Sequence, residues 1–199
     1  MKRYQESIYG LHLPWMEQAM KDLTGRIECI REEMQQNLGM DPVEHILSRI
    51  KSEESMREKC RRKGLPETEE SVLGSIRDGI GIRIVCAFVD DVYAIRDAIA
   101  AFDDLEIIEE KDYIRHAKPN GYRSYHMIVR YQDRYYVEFQ LRTISMDTWA
   151  ALEHHMKYKK SVDGNTGLIV RELKRCTDEL ASTDISLQTI RDMILKAGE

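Results

Sequence analysis

The chain has 199 residues, of which 33% are charged and 42% belong to the apolar set AVILMFWYC. This balance excludes a disordered chain, which has fewer apolar residues, and a membrane-spanning protein, which has fewer charges. The formal net charge of −5 argues against DNA or RNA binding by bulk electrostatic attraction. The four cysteines lie far apart and the first residues resemble no signal peptide, so we expect a cytoplasmic protein with reduced thiols.

The first third of the chain is predicted to be mostly helical. Residues 14–38 have apolar side chains at helical spacing. The segment Asp41–Glu44 has the composition of a helix start, with an N-cap aspartate followed by proline. Residues 45–51, however, also alternate in the manner of a strand, so that helix would be short. Ser52 is placed to cap a further helix, which ends at residue 63.

The middle of the chain has the pattern of a sheet. Residues 80–89 are largely apolar and β-branched, which is typical of a central strand. Residues 118–121 are a turn signal, and a hairpin-length gap separates the last two strands. The further predicted strands are 105–114, 125–131 and 135–142. The further predicted helices are 90–102, 143–160 and 168–196, the last two separated by a loop at 161–167. This order predicts an α/β sheet domain with helical flanks.

A first basic segment runs from Arg49 to Lys63 and contains seven Lys or Arg residues against three Glu. Ser55, Lys59 and Arg62 follow helical spacing and therefore share one helix face. A hydroxyl and two cations on one face can hold several phosphate oxygens. The alternative is a solvated face whose last cations complement the helix C-terminus.

A second basic segment, residues 115–130, contains no acidic residue. Within it, Gly121 lets the backbone turn, and Tyr122 offers a flat face on which a base can stack. Arg123 and His126 follow at a distance from which they could reach phosphates. The alternative is a polar loop whose tyrosine belongs to the core.

Two carboxylates stand out by their position in the predicted sheet. Asp78 immediately precedes the central strand, and Glu138 lies within an apolar strand. Alternation places Glu138, Gln140 and Arg142 on one face of that strand. If this face lines a cleft, Asp78 and Glu138 could share a Mg²⁺ ion, which needs one or two carboxylates plus substrate phosphates. The alternative is an edge strand with a solvated face and an ordinary Glu–Arg pair.

Taken together, these segments resemble the synthetase domain of the RelA/SpoT family, specifically its stand-alone small alarmone synthetases. The resemblance covers residues 41–160, with a helical extension at 1–40 and another at 161–199, which we expect to mediate oligomerisation. It rests on five ordered segments: RIKSEESMREKCRRK (49–63), DGIGIRIVCAFVDDVY (78–93), KDYIRHAKPNGYRSYH (111–126), VEFQLRT (137–143) and MDTWAALEHHMKYK (146–159).

The resemblance implies a mixed β-sheet flanked by helices and related to nucleotidyltransferases. It implies transfer of the β,γ-pyrophosphate of ATP to the ribose 3′-OH of GDP or GTP. The products would be AMP and the alarmones ppGpp or pppGpp of the stringent response. Mg²⁺ is the implied cofactor, and the implied assembly is a homo-oligomer, often a tetramer.

The resemblance also implies a role for each matching position. ATP would be bound by Arg49, Lys51, Ser55, Lys59, Arg62 and Arg83. Of these, Arg49 and Arg83 would lie on the two sides of the adenine. The acceptor would be bound by Lys118, Asn120, Tyr122, Arg123, His126 and Ala150. Asp78 and Glu138 would bind Mg²⁺, Glu138 would take the proton from the 3′-OH, and Gln140 would support that hydroxyl. Asp147, beside the predicted guanine site, could accept from the base or be solvated.

Two alternative functions remain open at this point. The chain could resemble toxin-type relatives that use an adenosine nucleotide or the 3′ end of tRNA as acceptor, or it could be a non-catalytic nucleotide-binding or RNA-binding module. The loop at 120–126 favours a stacked purine nucleotide, and the acidic C-terminal region argues against tRNA. The presence of both Asp78 and Glu138 argues against the module, because carboxylates hinder phosphate binding unless a metal is present.

Overall fold

The computed structural model describes residues 7–158 and 166–197. Its five strands are β1 (Val43–Ile50), β2 (Ile80–Cys86), β3 (Leu105–Asp112), β4 (Tyr125–Tyr131) and β5 (Tyr135–Thr143). They form one sheet in the order β1–β2–β5–β4–β3. Strands β2 and β5 are parallel, whereas the other neighbouring pairs are antiparallel, so the sheet is mixed as expected.

Helices flank this sheet. They are α1 (Leu13–Leu38), α2 (Glu53–Lys63), α3 (Glu69–Gly74), α4 (Val89–Ala100), α5 (Ile144–Tyr158) and α6 (Thr166–Ala197), and a 3₁₀ turn precedes α1 at Gly10–His12. None of the helices in the described ranges is both long and apolar enough to cross a membrane.

The two faces of the sheet differ in composition because side chains alternate along each strand. Val137, Phe139 and Leu141 of β5 are fully buried on one face, where they pack with apolar side chains of α1 and α4, such as Leu23 and Ile95. Burial of side chains of this size stabilises the fold by about 1.5–3 kcal/mol each. The opposite face carries the polar residues of β5, which confirms the predicted alternation.

The helix start predicted at Asp41 is wrong, because the chain becomes extended at Val43 and pairs with β2. The Asp41 carboxylate accepts a hydrogen bond from the backbone N–H of Val43 at 3.0 Å, and it pairs with Arg31 of α1. The Asp41 side chain therefore caps the turn before β1, and not a helix. Ile46 and Ile50 of the alternating segment pack against the core, as a strand requires.

The other predicted elements are confirmed with shifted boundaries. The strand predicted over 80–89 ends at Cys86, because the backbone N–H of Phe88 donates to Asp91 and starts α4 at Val89. The strand predicted over 105–114 ends at Asp112, and α3 was not predicted. The end of the helix predicted to 160, and most of the loop predicted at 161–167, lie outside the described residues; α6 begins at residue 166.

Candidate active site

The polar face of the sheet lines a cleft with three connected parts. The middle part is bordered by Arg49 of β1, Arg83 of β2, Glu138 of β5 and Asp78. It shares the two carboxylates with the second part and the two arginines with the third. The further borders include Lys59, Lys111 and His126 in the second part and Tyr122, Arg142 and Ala150 in the third. The structure thus brings residues from both basic segments into one cleft.

The strand register explains why these side chains meet. Gln140 lies between Arg83 of β2 and His126 of β4, since both pair with it across the sheet. Gly81 separates Arg49 from Glu138 and adds no side chain between them. Directly opposite residues on one face of a sheet lie about 5 Å apart, so the register alone fixes these contacts.

Asp78 lies just before β2 and is held by two lysines. The Nζ atoms of Lys51 and Lys59 donate to its Oδ2 at 2.6 and 2.5 Å. Burial by itself raises the pKa of this carboxyl, but the hydrogen bonds from the two lysines outweigh burial, so the pKa of Asp78 is lowered. Its other oxygen, Oδ1, is buried and has no hydrogen-bond partner among the described residues.

Glu138 is held by different chemistry. Gln140 Nε2 donates to its Oε2 at 2.9 Å, and His126 Nδ1 lies 3.5 Å from its Oε1. Burial raises the pKa of Glu138, but the contacts with His126 and Gln140 outweigh burial and the nearby charge of Asp78, so the pKa is lowered. Glu138 is therefore ionised at neutral pH.

The two carboxylates fit a divalent metal. Asp78 and Glu138 both border the junction of the middle and second parts of the cleft. The Oδ1 atom of Asp78 has no hydrogen-bond partner among the described residues, so its lone pairs are available to a ligand. Within the described ranges no group of three or more metal-ligating side chains occurs. Two protein carboxylates suit Mg²⁺, which takes its remaining oxygens from water and substrate phosphates.

Helix α2 brings only part of its predicted phosphate-binding face to the cleft. Lys59 borders the second part, whereas Ser55 and Arg62 are exposed and border none of the three. Ser52 caps the helix as predicted, because its Oγ accepts from the backbone N–H of Ser55 at 3.3 Å. The Ser55 and Ser52 hydroxyls are also within 2.9 Å of each other.

The predicted acceptor loop forms the turn expected at 118–121. The N–H of Gly121 donates to the carbonyl of Lys118 at 2.8 Å, and Gly121 has a φ of +93°, which favours glycine. The Lys118 ammonium lies 4.8 Å from the centre of the Tyr122 ring. Asn120 Nδ2 donates to Glu153 of α5 at 3.2 Å, and its Oδ1 accepts from the backbone N–H of Tyr122.

Helix α6 packs against this loop. A Cβ atom at Gly121 would lie 2.4 Å from Cγ2 of Thr177, so the absence of a side chain lets the helix approach. Arg123 donates to the carbonyl of Ile114 at 2.6 Å and to Asp178 of α6 at 3.1 Å. To contact an acceptor phosphate as predicted, Arg123 would use N–H groups that these two hydrogen bonds leave free, or exchange Asp178 for the phosphate.

Several residues of the cleft escaped the sequence reasoning. Lys63, Arg77 and Lys111 border the second part; of these, Lys111 could have been found, because strand pairing places it beside His126. Asp147 is paired with two arginines, since Arg142 Nη1 donates to its Oδ1 at 2.9 Å and Arg83 Nη1 lies 3.3 Å from the same oxygen.

Comparison with known proteins finds relatives that are named GTP pyrophosphokinase. GTP pyrophosphokinase YwaC of Bacillus subtilis is 38% identical over 169 residues, which are 81% of this chain and 77% of the relative. GTP pyrophosphokinase YjbM of the same organism is 33% identical over 188 residues, covering 90% and 87%. The crystal structure of small alarmone synthetase 1 from Bacillus subtilis bound to its product pppGpp superposes with a TM-score of 0.78, at 31% identity over 92% of this chain and 95% of that chain.

A family model described as "Region found in RelA / SpoT proteins" matches residues 48–163. This range contains all five of the ordered segments and every named residue of the cleft. The mixed sheet with flanking helices agrees with the same conclusion. The chain therefore belongs to the RelA/SpoT family.

Proposed function

We propose that this chain is a GTP/GDP pyrophosphokinase that transfers the β,γ-pyrophosphate of ATP to the ribose 3′-OH of GDP or GTP. The observation that carries the proposal is the pair of carboxylates in one cleft. Asp78 is surrounded by phosphate-binding lysines, and Glu138 lies beside the aromatic acceptor loop. The relatives named GTP pyrophosphokinase and the structure with bound pppGpp support this assignment.

The transfer is an in-line displacement at the β-phosphorus of ATP. Glu138 accepts the proton of the acceptor 3′-OH while the 3′-oxygen forms a bond to this phosphorus. The bond between the β-phosphorus and the oxygen bridging to the α-phosphate breaks, and AMP leaves with that oxygen. Since a ribose hydroxyl is a weak acid, a positioned carboxylate is needed to take its proton. Most of the remaining acceleration comes from positioning and from neutralising phosphate charge.

On the donor side, we assign the adenine of ATP to the space between Arg49 and Arg83, whose guanidinium groups can stack on a flat base. Lys51 and Lys59 neutralise the phosphates, and Ser55 and Arg62 would join them only if the triphosphate extends along α2. Mg²⁺, held by Asp78 and Glu138, would lower the pKa of the attacking hydroxyl and neutralise developing charge.

On the acceptor side, Tyr122 stacks on the guanine, and Asn120 and the backbone of Ala150 contact its edge. Lys118, Arg123 and His126 face the acceptor phosphates, and Gln140 supports the reacting hydroxyl through Glu138. His126 and Lys118 lie close to Tyr122, which supports their placement at this nucleotide.

The proposal includes a homo-oligomer, with a tetramer as the expected form, in the cytoplasm. Its support is helix α6, which has a series of exposed apolar side chains that a second copy could cover. They include Ile185, Leu187, Ile190, Met193 and Ile194. Light scattering coupled to gel filtration measures the assembly directly.

The experiment that tests the activity uses the purified chain with γ-labelled ATP and Mg²⁺. Each reaction contains GDP, GTP, GMP, tRNA or no added acceptor, and a parallel set contains EDTA. We expect the label to appear in ppGpp with GDP and in pppGpp with GTP, and to disappear in EDTA.

Other outcomes would identify the alternatives. Label in tRNA, or in an adenosine product when ATP is the sole nucleotide, would replace the guanine acceptor by another one. No label in any reaction, together with retained ATP binding, would favour a non-catalytic nucleotide-binding module.

A further inference from the structure

A ring of side chains, joined by four hydrogen bonds and one imidazole–carboxylate contact, lies under the acceptor part of the cleft. Arg142 Nη2 donates to the Tyr122 hydroxyl at 2.7 Å and to Gln140 Oε1 at 3.2 Å. The Tyr122 hydroxyl lies 2.8 Å from Nε2 of His126. His126 Nδ1 and Gln140 Nε2 then face the two oxygens of Glu138, at 3.5 and 2.9 Å. Two arms therefore lead from one guanidinium to the one carboxylate.

The chemistry of Arg142 fixes the first step of each arm. A guanidinium is only a donor, so the Tyr122 oxygen accepts from it. In the second step we assign the Tyr122 hydroxyl proton to the hydrogen bond with Nε2 of His126. His126 then carries its proton on Nδ1, where it points at Glu138. In the other arm the Gln140 carbonyl accepts from Arg142, and the Gln140 amide donates to Glu138. Every hydrogen bond of the ring thus runs towards the carboxylate.

Arg142 is itself held by burial and by a counter-ion. Its side chain is 6% exposed, and Nη1 donates to Asp147 Oδ1 at 2.9 Å. A buried guanidinium needs such a partner, because an unpaired buried charge is strongly destabilising. Asp147 also lies 3.3 Å from Arg83, so this carboxylate balances one arginine on each side of the boundary between the two nucleotide sites.

We propose that Arg142 is a positioning residue that fixes the base-stacking ring of Tyr122 and the carboxylate of Glu138 relative to each other, with Asp147 as its counter-ion. The inference rests on the proposed function, because Tyr122 and Glu138 take their roles from it. An acceptor nucleotide would contact the ring at both ends, with its base on Tyr122 and its 3′-OH at Glu138. Fixing this separation places the hydroxyl for attack, and small errors in such placement cost large factors in rate.

The mildest variant that opens the ring is Tyr122→Phe, which keeps the aromatic face and removes only the hydroxyl. We expect GDP affinity in the absence of ATP to change less than about 3-fold, because stacking is retained, while kcat falls about 10-fold or more. Asp147→Asn should also lower kcat, but by a smaller factor than Tyr122→Phe. If Tyr122 acts by stacking alone, Tyr122→Phe leaves kcat unchanged, and the proposal is wrong.

The matched control is Tyr131→Phe, at the end of β4. It removes an identical hydroxyl that donates to the Asp22 carboxylate of α1 at 2.9 Å, outside the cleft. We expect its kcat to stay within about 2-fold of the wild type. An equal fall in kcat in both variants would mean that a general loss of structure, and not the ring, explains the effect.

A second measurement does not depend on catalysis. Nitrogen-15 NMR of the imidazole in the nucleotide-free protein at neutral pH should find the His126 proton on Nδ1, and Tyr122→Phe should release this preference. A proton on Nε2 in the wild type would overturn the proposed direction of the ring. If no acceptor is labelled in the assay above, the proposed function fails, whereas this measurement still decides whether the ring exists.

Discussion

Asp78 receives hydrogen bonds from two lysine ammonium groups, whereas Glu138 receives them from an amide and faces an imidazole. In the described ranges no Lys or Arg is ion-paired with Glu138. The guanidinium of Arg142 contacts Gln140, which in turn contacts Glu138, so one side chain lies between the arginine and the carboxylate. Two carboxylates that border the same cleft are therefore supported by charge on one side and by oriented dipoles on the other.

This difference separates the two tasks that the transfer requires. A carboxylate that helps to hold phosphates and a metal can be surrounded by cations, because the incoming phosphates take those cations over. A carboxylate that must accept a proton loses basicity with each group that stabilises its charged form, and a lysine paired directly with Glu138 would lower its pKa further than His126 and Gln140 already do. Placing Arg142 behind Gln140 and Tyr122 orients Glu138 without such a direct ion pair.

The largest expected effect comes from removing the base itself. Glu138→Gln keeps the size of the side chain but removes its ability to accept a proton, so we expect the rate of transfer to fall about 10³-fold or more. The measurement is the initial rate of ppGpp formation, with circular dichroism as the check that the variant is folded.

Lys59→Met is the comparison for this prediction on the Asp78 side. It removes one of the two cations and leaves Lys51 in place, so we expect a fall of about 10- to 50-fold, mainly through a higher KM for ATP. If Lys59→Met were as damaging as Glu138→Gln, or if Glu138→Gln retained near-normal activity, the division of tasks between the two carboxylates would be wrong.

A smaller effect tests whether the acceptor half depends on α6 while the donor half does not. Gly121→Ala places a methyl group 2.4 Å from Thr177 and strains a residue with φ of +93°. We expect the loop to shift, so that the KM for GDP rises about 10-fold and ATP binding is unchanged. Steady-state kinetics with each nucleotide varied in turn measures both.

Gly39→Ala is the control for backbone strain alone. Gly39 has a φ of +69°, and a Cβ there would meet nothing within 4 Å. Both variants should lose about 1–2 kcal/mol of stability from the left-handed conformation. A rise in the KM for GDP in both variants would show that strain, and not contact with α6, controls the acceptor loop.

The sequence predicted the central sheet because β-branched and alternating patterns are local signals. Strand β5 is the clearest case, since its alternation correctly placed Glu138 and Gln140 on a polar face. The error at Asp41 arose because the same residues can cap a helix or a turn. Pairing with β2, which lies more than thirty residues later in the chain, decides between them.

The sequence predicted which side chains of the cleft share a face of one strand or helix. It did not predict contacts between side chains of elements that are far apart in the chain. The alternation of β5 placed Glu138 and Gln140 on one face, where the two side chains contact each other. The pairing of Arg123 with Asp178, and of Asp147 with Arg83, depends on how α6 and α5 pack, and no local pattern reveals that packing. The individual roles of these residues stay predictions until the variants are measured.

The smallest expected effect concerns Asp91, a third carboxylate, which is buried and accepts no hydrogen bond from a cation among the described residues. It is 4% exposed, accepts from the N–H of Phe88 at 3.0 Å, and lies 3.8 Å from Arg191. Burial, with the neighbouring charge of Asp90, raises its pKa to about 6. Burial therefore raises the pKa of Asp91, whereas the lysines around Asp78 and the polar neighbours of Glu138 lower the pKa of those two buried carboxylates.

A raised pKa in the folded state has a definite consequence for stability. The folded protein holds the proton more tightly than the unfolded chain, so stability falls as the pH rises from about 4 to about 6 and is level above that window. Asp91→Asn removes this loss and can still accept from Phe88. We therefore expect the difference in unfolding free energy between Asp91→Asn and wild type to be about 1–3 kcal/mol more favourable to the variant at pH 7.5 than at pH 4. Urea unfolding at the two pH values measures this difference. Asp103→Asn, at an exposed aspartate, is the control, and an equal difference from wild type at both pH values for Asp91→Asn would contradict the raised pKa.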